Sequence, residues 1–243
     1  VYDGYLYTGF WNREDGDANL VCLSVSDEDP HSATESKTAV WRHTQRGGFY
    51  WAGAYVCDDF LLVGTDDGNA GYTAQTSSLL LMDPHSGKIL DRKDGLNGDI
   101  RSTVCYDAES EAYYFTSKGG SFYRARVEQQ EGKWKISELH ALSLNNGTED
   151  SAAMSTSTPT VYKGRAYVGV SGSGQFTAYS GHNITVIDLT KEEMKIAYSV
   201  ETAGYPQTSG VLTNFYEESG CVYLYFFENI IPGTLRVLQD RPG

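Results

Sequence analysis

The segment Ala166-Tyr167-Val168-Gly169 is one copy of a short apolar motif that recurs along the whole chain and often ends in glycine or threonine. The other copies are Tyr5-Leu6-Tyr7-Thr8-Gly9, Leu61-Leu62-Val63-Gly64, Tyr113-Tyr114-Phe115-Thr116 and Val222-Tyr223-Leu224-Tyr225. Measured between Tyr7, Leu62, Tyr114, Tyr167 and Tyr223, the steps are 55, 52, 53 and 56 residues. Such a constant period indicates a repeat architecture.

Each period contains signals for four short strands separated by turns. A strand of small residues precedes the motif, as in Ala52–Val56, and an apolar strand follows it, as in Leu79–Met82. A fourth strand follows, as in Lys195–Ser199. Four strands per period predict an all-β fold, a β-propeller of four-stranded antiparallel blades. A β-sandwich is the main alternative, but it has no reason to repeat every four strands.

Composition and charge restrict the function classes. The 243 residues are 40% hydrophobic, with no apolar stretch long enough for a transmembrane helix, which excludes membrane insertion. The net charge of −13 disfavours nucleic-acid binding. The basic residues of Arg124–Arg126 and Lys133–Lys135 alternate with apolar ones, which predicts the solvent face of a strand. The four cysteines form no CxxC pair, so zinc and thioredoxin chemistry have no support.

The segment Leu79–Lys88 resembles the repeat of the quinoprotein (PQQ-like) β-propellers, in which an apolar strand ends in Asp-x-x-Thr-Gly-Lys. Ser-Thr-Pro-x-Val, at Ser157–Val161, is another sequence typical of that family. The tryptophan that usually follows the turn is missing after Lys88, and Trp41 fills that role in the first repeat. The enzymes of the family hold PQQ with an adjacent cysteine pair and a calcium site. The chain has no Cys-Cys dipeptide, so we expect no cofactor.

The repeat boundaries predict an incomplete ring within one domain, 1–243. The blades are expected at approximately 1–48, 49–98, 99–153, 154–205 and 206–243. Because Val1–Gly4 reads as the end of an innermost strand, three whole blades are flanked by two partial ones, about four and a half in all. The resemblance implies an arc of a seven- or eight-bladed ring, completed by missing sequence or by another chain.

A propeller presents its ligand-binding loops on one face, around the mouth of the central channel. The loops between blades and those between second and third strands share this face and carry many aromatic and acidic residues. The predicted ligand-binding residues are Trp11, Phe49, Tyr50, Trp51, Asp66, Asp67, Asp99, Arg101, Tyr205 and Gln207, and Tyr72, Phe176 and Tyr179 belong to the same loops. Stacking rings and carboxylates suit a sugar or a peptide ligand. The alternative is that the aromatic residues fill gaps between blades.

Two acidic segments could be considered for metal binding. Asp15–Asn19 mimics the first half of an EF-hand loop, but the glycine and distal glutamate positions hold Leu20 and Ser26, so a tight turn explains it better. Asp66–Asn69 could hold a cation only if a third carboxylate converges from elsewhere. We therefore predict no metal site.

These observations predict a non-catalytic, secreted or cell-surface propeller that binds a protein or a glycan through its loop face. One alternative is a fragment of a PQQ-dependent alcohol or sugar dehydrogenase, which would require PQQ and calcium. Another is a scaffold in envelope assembly, similar to the outer-membrane assembly propellers.

Overall fold

The computed structural model describes residues 1–69, 76–145, 153–172 and 181–242. Within these ranges the chain forms eighteen strands in five antiparallel sheets. The first sheet contains β1 (Tyr5–Gly9), β2 (Asp17–Ser24) and β3 (Trp41–Arg46). The second contains β4 (Tyr55–Val56), β5 (Leu61–Gly64), β6 (Ser77–Met82) and β7 (Ile89–Leu96).

The remaining three sheets repeat this meander. The third contains β8 (Cys105–Asp107), β9 (Ala112–Thr116), β10 (Ser121–Gln130) and β11 (Lys133–Ser143). The fourth contains β12 (Thr160–Tyr162), β13 (Arg165–Val170), β14 (Asn183–Asp188) and β15 (Lys195–Glu201). The fifth contains β16 (Val211–Thr213), β17 (Val222–Glu228) and β18 (Thr234–Asp240).

The predicted all-β fold is confirmed. Three four-stranded sheets are flanked by two three-stranded ones, and the helical structure of the described ranges is a single 3₁₀ turn at Glu217–Ser219. Within the described ranges, the first sheet has no innermost strand and the fifth has no outermost one. Each sheet is a blade of a β-propeller whose ring is not closed.

Successive blades are joined by apolar side chains from facing sheets. Leu61 and Leu80 of the second blade pack with Leu20 of the first, and Phe115 of the third packs with Leu62 of the second. The same arrangement joins the third blade to the fourth and the fourth to the fifth. Among the described residues, no such cluster joins the first blade to the fifth. The middle strands are therefore apolar on both faces because a blade lies on each side.

The innermost strands are shorter than the sequence pattern predicts. Only Tyr55 and Val56 of the predicted strand Ala52–Val56 pair within their own sheet. The preceding small residues instead bond sideways to the next blade, because the inner segments converge on the channel. The Val104 amide donates to the Gly53 carbonyl at 3.1 Å, and the Thr103 amide donates to Thr158 Oγ1 at 2.8 Å.

The glycine that ends the repeated motif has a packing role between blades. A Cβ at Gly64 would lie 2.1 Å from Ile100 Cγ2, and one at Gly169 would lie 1.7 Å from the Pro206 carbonyl oxygen. In the third blade the equivalent residue is Thr116, whose hydroxyl donates to the Ser157 carbonyl at 2.9 Å. The first four copies of the motif end in glycine or threonine because the next blade's inner segment passes against that residue.

Trp41 packs against the Asp83–Gly87 turn of the neighbouring blade. Its Nε1 donates to the Pro84 carbonyl at 2.9 Å. A Cβ at Gly87, where φ is +69°, would lie 2.5 Å from the indole. Glycine is therefore required at position 87 for two reasons: the left-handed backbone and the close approach of the indole ring.

Candidate functional site

The meander places two kinds of loop at the same end of the blades. The β1–β2 and β5–β6 loops connect second to third strands, and the β3–β4 and β7–β8 segments connect one blade to the next. Because consecutive strands run antiparallel, these loops all leave the sheets on one face. Trp11, Trp51, Asp66 and Arg101 come from four different loops and meet there.

Three rings on this face form a stack, which we call the aromatic stack: Trp11, Tyr50 and Trp51. The Tyr50 ring centroid lies 4.7 Å from that of Trp11 and 4.4 Å from that of Trp51. Trp51 has a φ of +59°, a left-handed backbone that costs a bulky residue about 1–2 kcal/mol. The residue is nevertheless 54% exposed. The strained backbone therefore presents a large aromatic surface to solvent.

Arg101 is buried against this stack and is the centre of an ion-pair network. Its Cζ lies 4.5 Å from the Tyr50 ring centroid, within cation–π distance. Its Nη2 lies 2.7 Å from Asp66 Oδ2, and its Nε is within 3.2 Å of both Asp66 oxygens. The same Nη2 lies 3.0 Å from Asp99 Oδ2. Arg101 therefore ties the aromatic stack to two buried carboxylates.

Two more carboxylates and a lysine complete the network. Glu14 Oε2 lies 2.9 Å from Arg101 Nη2, and Lys118 Nζ lies 3.1 Å from Asp99 Oδ2. The Asp67 amide donates to Asp99 Oδ1 at 3.0 Å. We call Glu14, Asp66, Asp67 and Asp99 the carboxylate cluster. Its four acidic groups face two cations, so the network carries an excess of negative charge.

Burial and this excess of charge change the protonation of the cluster. Burial, together with the charge of Asp99, raises the pKa of Asp66 to about 8 against the opposing effect of Arg101. Burial also raises the pKa of Asp67 to about 6, although the Asn69 amide opposes the shift. Burial and the nearby Arg101 lower the pKa of Lys118. These groups therefore titrate nearer to neutrality than the same side chains do in water.

A cation at Asp66–Asn69 would require a third carboxylate from elsewhere in the chain. The structure provides two, because Asp99 and Glu14 both lie beside Asp66. All three carboxylates, however, contact the same Arg101 nitrogen. A guanidinium is already the shared counter-ion of this cluster. The arrangement is an ion-pair network that supports the aromatic stack.

A groove of about 370 Å³ runs from the aromatic stack along the inner segments of three blades. We call it the hydroxyl groove; it is lined by Trp51, Arg101, Thr103, Thr156, Thr158, Gln207, Thr208 and Ser209. Apart from the Trp51 ring and the ion-paired Arg101, the lining side chains carry hydroxyl or amide groups. The groove offers hydrogen-bonding groups beside an exposed aromatic surface.

The other predicted residues lie in different surroundings. Phe49 is fully buried in the core between the first two blades. Tyr205 is also buried, and its hydroxyl accepts a 2.7 Å hydrogen bond from the Thr156 amide. Gln207 lines the hydroxyl groove, where its Oε1 accepts from Asn229 Nδ2 at 3.2 Å. The loop residues Tyr72, Phe176 and Tyr179 lie outside the described residues.

Glu14 and Lys118 belong to the network but were not among the residues predicted from the sequence. Lys118 follows Tyr114 at the distance by which Asp66 follows Leu62, so aligning the repeats could have found it. Glu14 lies in a loop, Asn12-Arg13-Glu14-Asp15, whose sequence has no repeat equivalent. No signal in the sequence distinguishes Glu14 from its acidic neighbour.

Comparison with known proteins supports the fold. No family model matches the chain, and no curated protein matches it. The structure is similar to the β-propeller domain of Cps50 (Swd1) from Myceliophteria thermophila, with a TM-score of 0.55 and 10% identity, over 94% of this chain and 67% of that one. A quinohemoprotein alcohol dehydrogenase, ADHIIG from Pseudomonas putida HK5, matches with a TM-score of 0.42 and 12% identity, over 73% of this chain and 29% of that one.

The Cps50 domain is a β-propeller, in agreement with the five sheets described above. In the described part of the chain, no helix has the length and apolar character needed to cross a membrane. The chain therefore has the β-propeller fold, with a loop face that combines an aromatic stack, a buried ion-pair network and a hydroxyl groove.

Proposed function

We propose that this chain is a non-catalytic binding propeller, secreted or exposed at the cell surface, that recognises its ligand at the loop face. The observation that carries the proposal is Trp51, whose large side chain is exposed while its backbone is left-handed. Such strain persists only where the surroundings impose it, and it clusters at binding and active sites. The hydroxyl groove adjoins Trp51 and provides room for a ligand.

The chemistry of the lining favours a glycan over a protein as the ligand. Threonine, serine and glutamine side chains exchange hydrogen bonds with sugar hydroxyls, and an exposed indole packs against the apolar face of a sugar ring. The charge of Arg101 is compensated by three carboxylates, so the groove does not require an acidic ligand. A protein ligand would find one large apolar residue in the lining, Trp51.

Replacing Trp51 by alanine is expected to weaken ligand binding at least about tenfold, or 1.4 kcal/mol, because the stacking surface is lost. The ligand is first sought by screening the wild-type protein against a neutral glycan array and a panel of cell-surface proteins. The affinity of each hit is then measured for both proteins by calorimetry. Biotinylation of intact cells with an impermeant reagent checks the location.

The matched control is Phe215→Ala, which removes an exposed aromatic residue of the fifth blade. This variant should bind as the wild type does. If every hit keeps its affinity for Trp51→Ala, the loop-face site is wrong. If the hits are proteins and Trp51→Ala weakens them, the site stands and the glycan preference fails.

We further propose that another propeller blade covers the outer face of the fifth sheet. On β17 and β18, Tyr225, Phe227, Leu235 and Val237 form an apolar row, and Phe227 is 59% exposed. The equivalent outward face of the fourth sheet, with Tyr167 and Val186, is buried against the fifth. The row therefore has the composition of the inter-blade interfaces already described.

The double substitution Phe227→Asp and Val237→Asp tests this proposal. The variant is made in the full-length natural protein. If a blade covers the row, buried carboxylates should destabilise the protein by more than 2 kcal/mol or release an associated polypeptide. Stability is measured by urea unfolding. Release of an associated polypeptide is measured as a loss of molar mass, by light scattering coupled to gel filtration. A row that faces water would tolerate both changes within about 0.5 kcal/mol, which would contradict the proposal.

A further inference from the structure

Arg124 and Arg126 lie on one face of β10, and the sequence pattern predicts that this is a solvent face. That prediction is wrong for Arg124, which is only 5% exposed. The strand is the second from the outer edge of a sheet that has a blade on each side, so side chains on both of its faces are covered. Arg124 points between the third and fourth blades, beside the Leu189–Glu192 segment that follows β14.

The guanidinium of Arg124 contacts backbone carbonyls instead of carboxylates. Its Nη2 donates to the Glu192 carbonyl at 2.6 Å, and its Nη1 lies 3.5 Å from the Lys191 carbonyl. Its buried Nε has no hydrogen-bond partner among the described residues. No carboxylate of the described ranges lies within 4.0 Å of its nitrogens. A buried cation without an anionic partner is costly, so a missing anion explains it better than packing alone.

The space beside Arg124 is a polar cleft of about 440 Å³ between the two blades. It opens on the face opposite the hydroxyl groove, because the β8–β9 and β14–β15 turns lie at the other ends of the strands. Cationic and hydroxyl groups line it: Ser110, Tyr114, Arg124, Arg126, Thr190 and Lys191. Its three cations are matched in number by three glutamates, whereas the chain as a whole has a net charge of −13.

Three glutamates also border the cleft, but they leave the charge of Arg124 uncompensated. Glu138 Oε2 lies 3.3 Å from Arg126 Nε and forms an ion pair with that residue. Glu192 contributes its main-chain carbonyl to Arg124, and Glu128 is exposed to solvent. Arg126 donates through Nη1 to the Ser110 carbonyl at 2.9 Å, which leaves its other Nη group for a ligand.

We propose that this cleft binds a tetrahedral oxyanion, sulfate or phosphate, either free or as an ester. The Nε of Arg124 and the remaining Nη of Arg126 supply charge-assisted hydrogen bonds, the interaction through which arginine recognises such groups. The Tyr114 hydroxyl, which lies 3.1 Å from Ser110 Oγ, borders the same space. The site is separate from the proposed ligand site of the loop face.

The test is a titration of the purified protein with sodium sulfate and with sodium phosphate, each against sodium chloride at equal ionic strength. We expect a saturable rise of Tm with either oxyanion and a saturable shift of the Arg124 Nε–H resonance. Phenyl phosphate is titrated in parallel with inorganic phosphate. Tighter binding of the ester assigns the ligand as a group on a larger molecule, and tighter binding of the inorganic ion assigns a free anion.

Arg126→Gln is the main variant, since Arg124 also holds the segment after β14 and its removal could impair folding. The half-saturating concentration should rise at least tenfold in Arg126→Gln and stay unchanged in Arg92→Gln, a half-exposed arginine of the second blade. Sulfate also stabilises proteins by exclusion from their surface, but that effect does not saturate and does not depend on Arg126. Equal, non-saturating responses in all three proteins would overturn the proposal.

Discussion

Replacing Arg101 by methionine is expected to lower the free energy of unfolding by about 3–5 kcal/mol, the cost of removing one partner from a buried ion pair. Arg101 is the shared partner of Asp66, Asp99 and Glu14, and the two aspartates are almost fully buried. Methionine fills a similar volume, but it leaves Lys118 as the remaining cation beside Asp99 and removes the donor that Asp66 accepts from. The measurement is urea unfolding followed by tryptophan fluorescence.

The loss of stability in Arg101→Met should be larger at high pH than at low pH. The pKa of Asp66 is already raised to about 8 by burial and by Asp99, whereas in the unfolded chain it is close to 3.9. A folded state that holds the proton more tightly loses stability as pH rises between these values. Because Arg101 opposes the rise in the pKa of Asp66, its removal raises that pKa further. The difference in stability between Arg101→Met and the wild type should therefore be larger at pH 8 than at pH 5.

Two further variants make the result specific. Arg13→Met removes an exposed arginine that pairs with Asp15 and should change stability by less than about 0.5 kcal/mol. Asp66→Asn in the Arg101→Met background should recover part of the loss at pH 8, because the amide is neutral without taking up a proton. If Arg101→Met is as stable as Arg13→Met at both pH values, the network does not stabilise the loop face.

Replacing Asp240 by alanine is expected to cost about 2–4 kcal/mol, because two tyrosine hydroxyls lose their acceptor. Asp240 lies on β18, where Oδ2 accepts from the Tyr167 hydroxyl and Oδ1 from the Tyr198 hydroxyl, both at 2.6 Å. Burial and these hydrogen bonds raise the pKa of both tyrosines. The carboxylate therefore locks the fifth blade to the fourth, and its loss should be visible in urea unfolding and in amide exchange of β18.

The control for this prediction is Asp59→Ala, an exposed aspartate of the second blade, which should leave stability within about 0.5 kcal/mol. Adding Tyr167→Phe and Tyr198→Phe to Asp240→Ala should recover part of the loss, because no hydroxyl is then left unpaired. A triple variant that is less stable than Asp240→Ala would refute the proposed lock.

The repeated motif made the blades predictable from the sequence. Gly64, Thr116 and Gly169 recur at one position because the inner segment of the following blade passes against each of them. The fifth copy of the motif has Tyr225 at this position. The repeat also predicts which loops share a face, and it therefore places Trp11, Tyr50, Asp66 and Arg101 on the same face.

Burial and charge pairing were less predictable. Arg124 has the alternation of a solvent-facing strand residue, yet it is covered by a segment that lies more than sixty residues further along the chain. Phe49 and Tyr205 have the loop positions of ligand contacts, but they are buried between blades. The pattern of residue types within one strand does not predict which side chains a neighbouring blade will bury.

The sequence by itself determined the all-β propeller fold and the order of the sheets, because strand periodicity and turn residues act over short distances and repeat about every 53 residues. Only the tertiary structure decided which charges meet. Arg101 pairs with Glu14 across 87 residues and with Asp66 across 35. Those partners depend on loops from different blades converging on one face, and the left-handed backbone that exposes Trp51 lies at the same convergence.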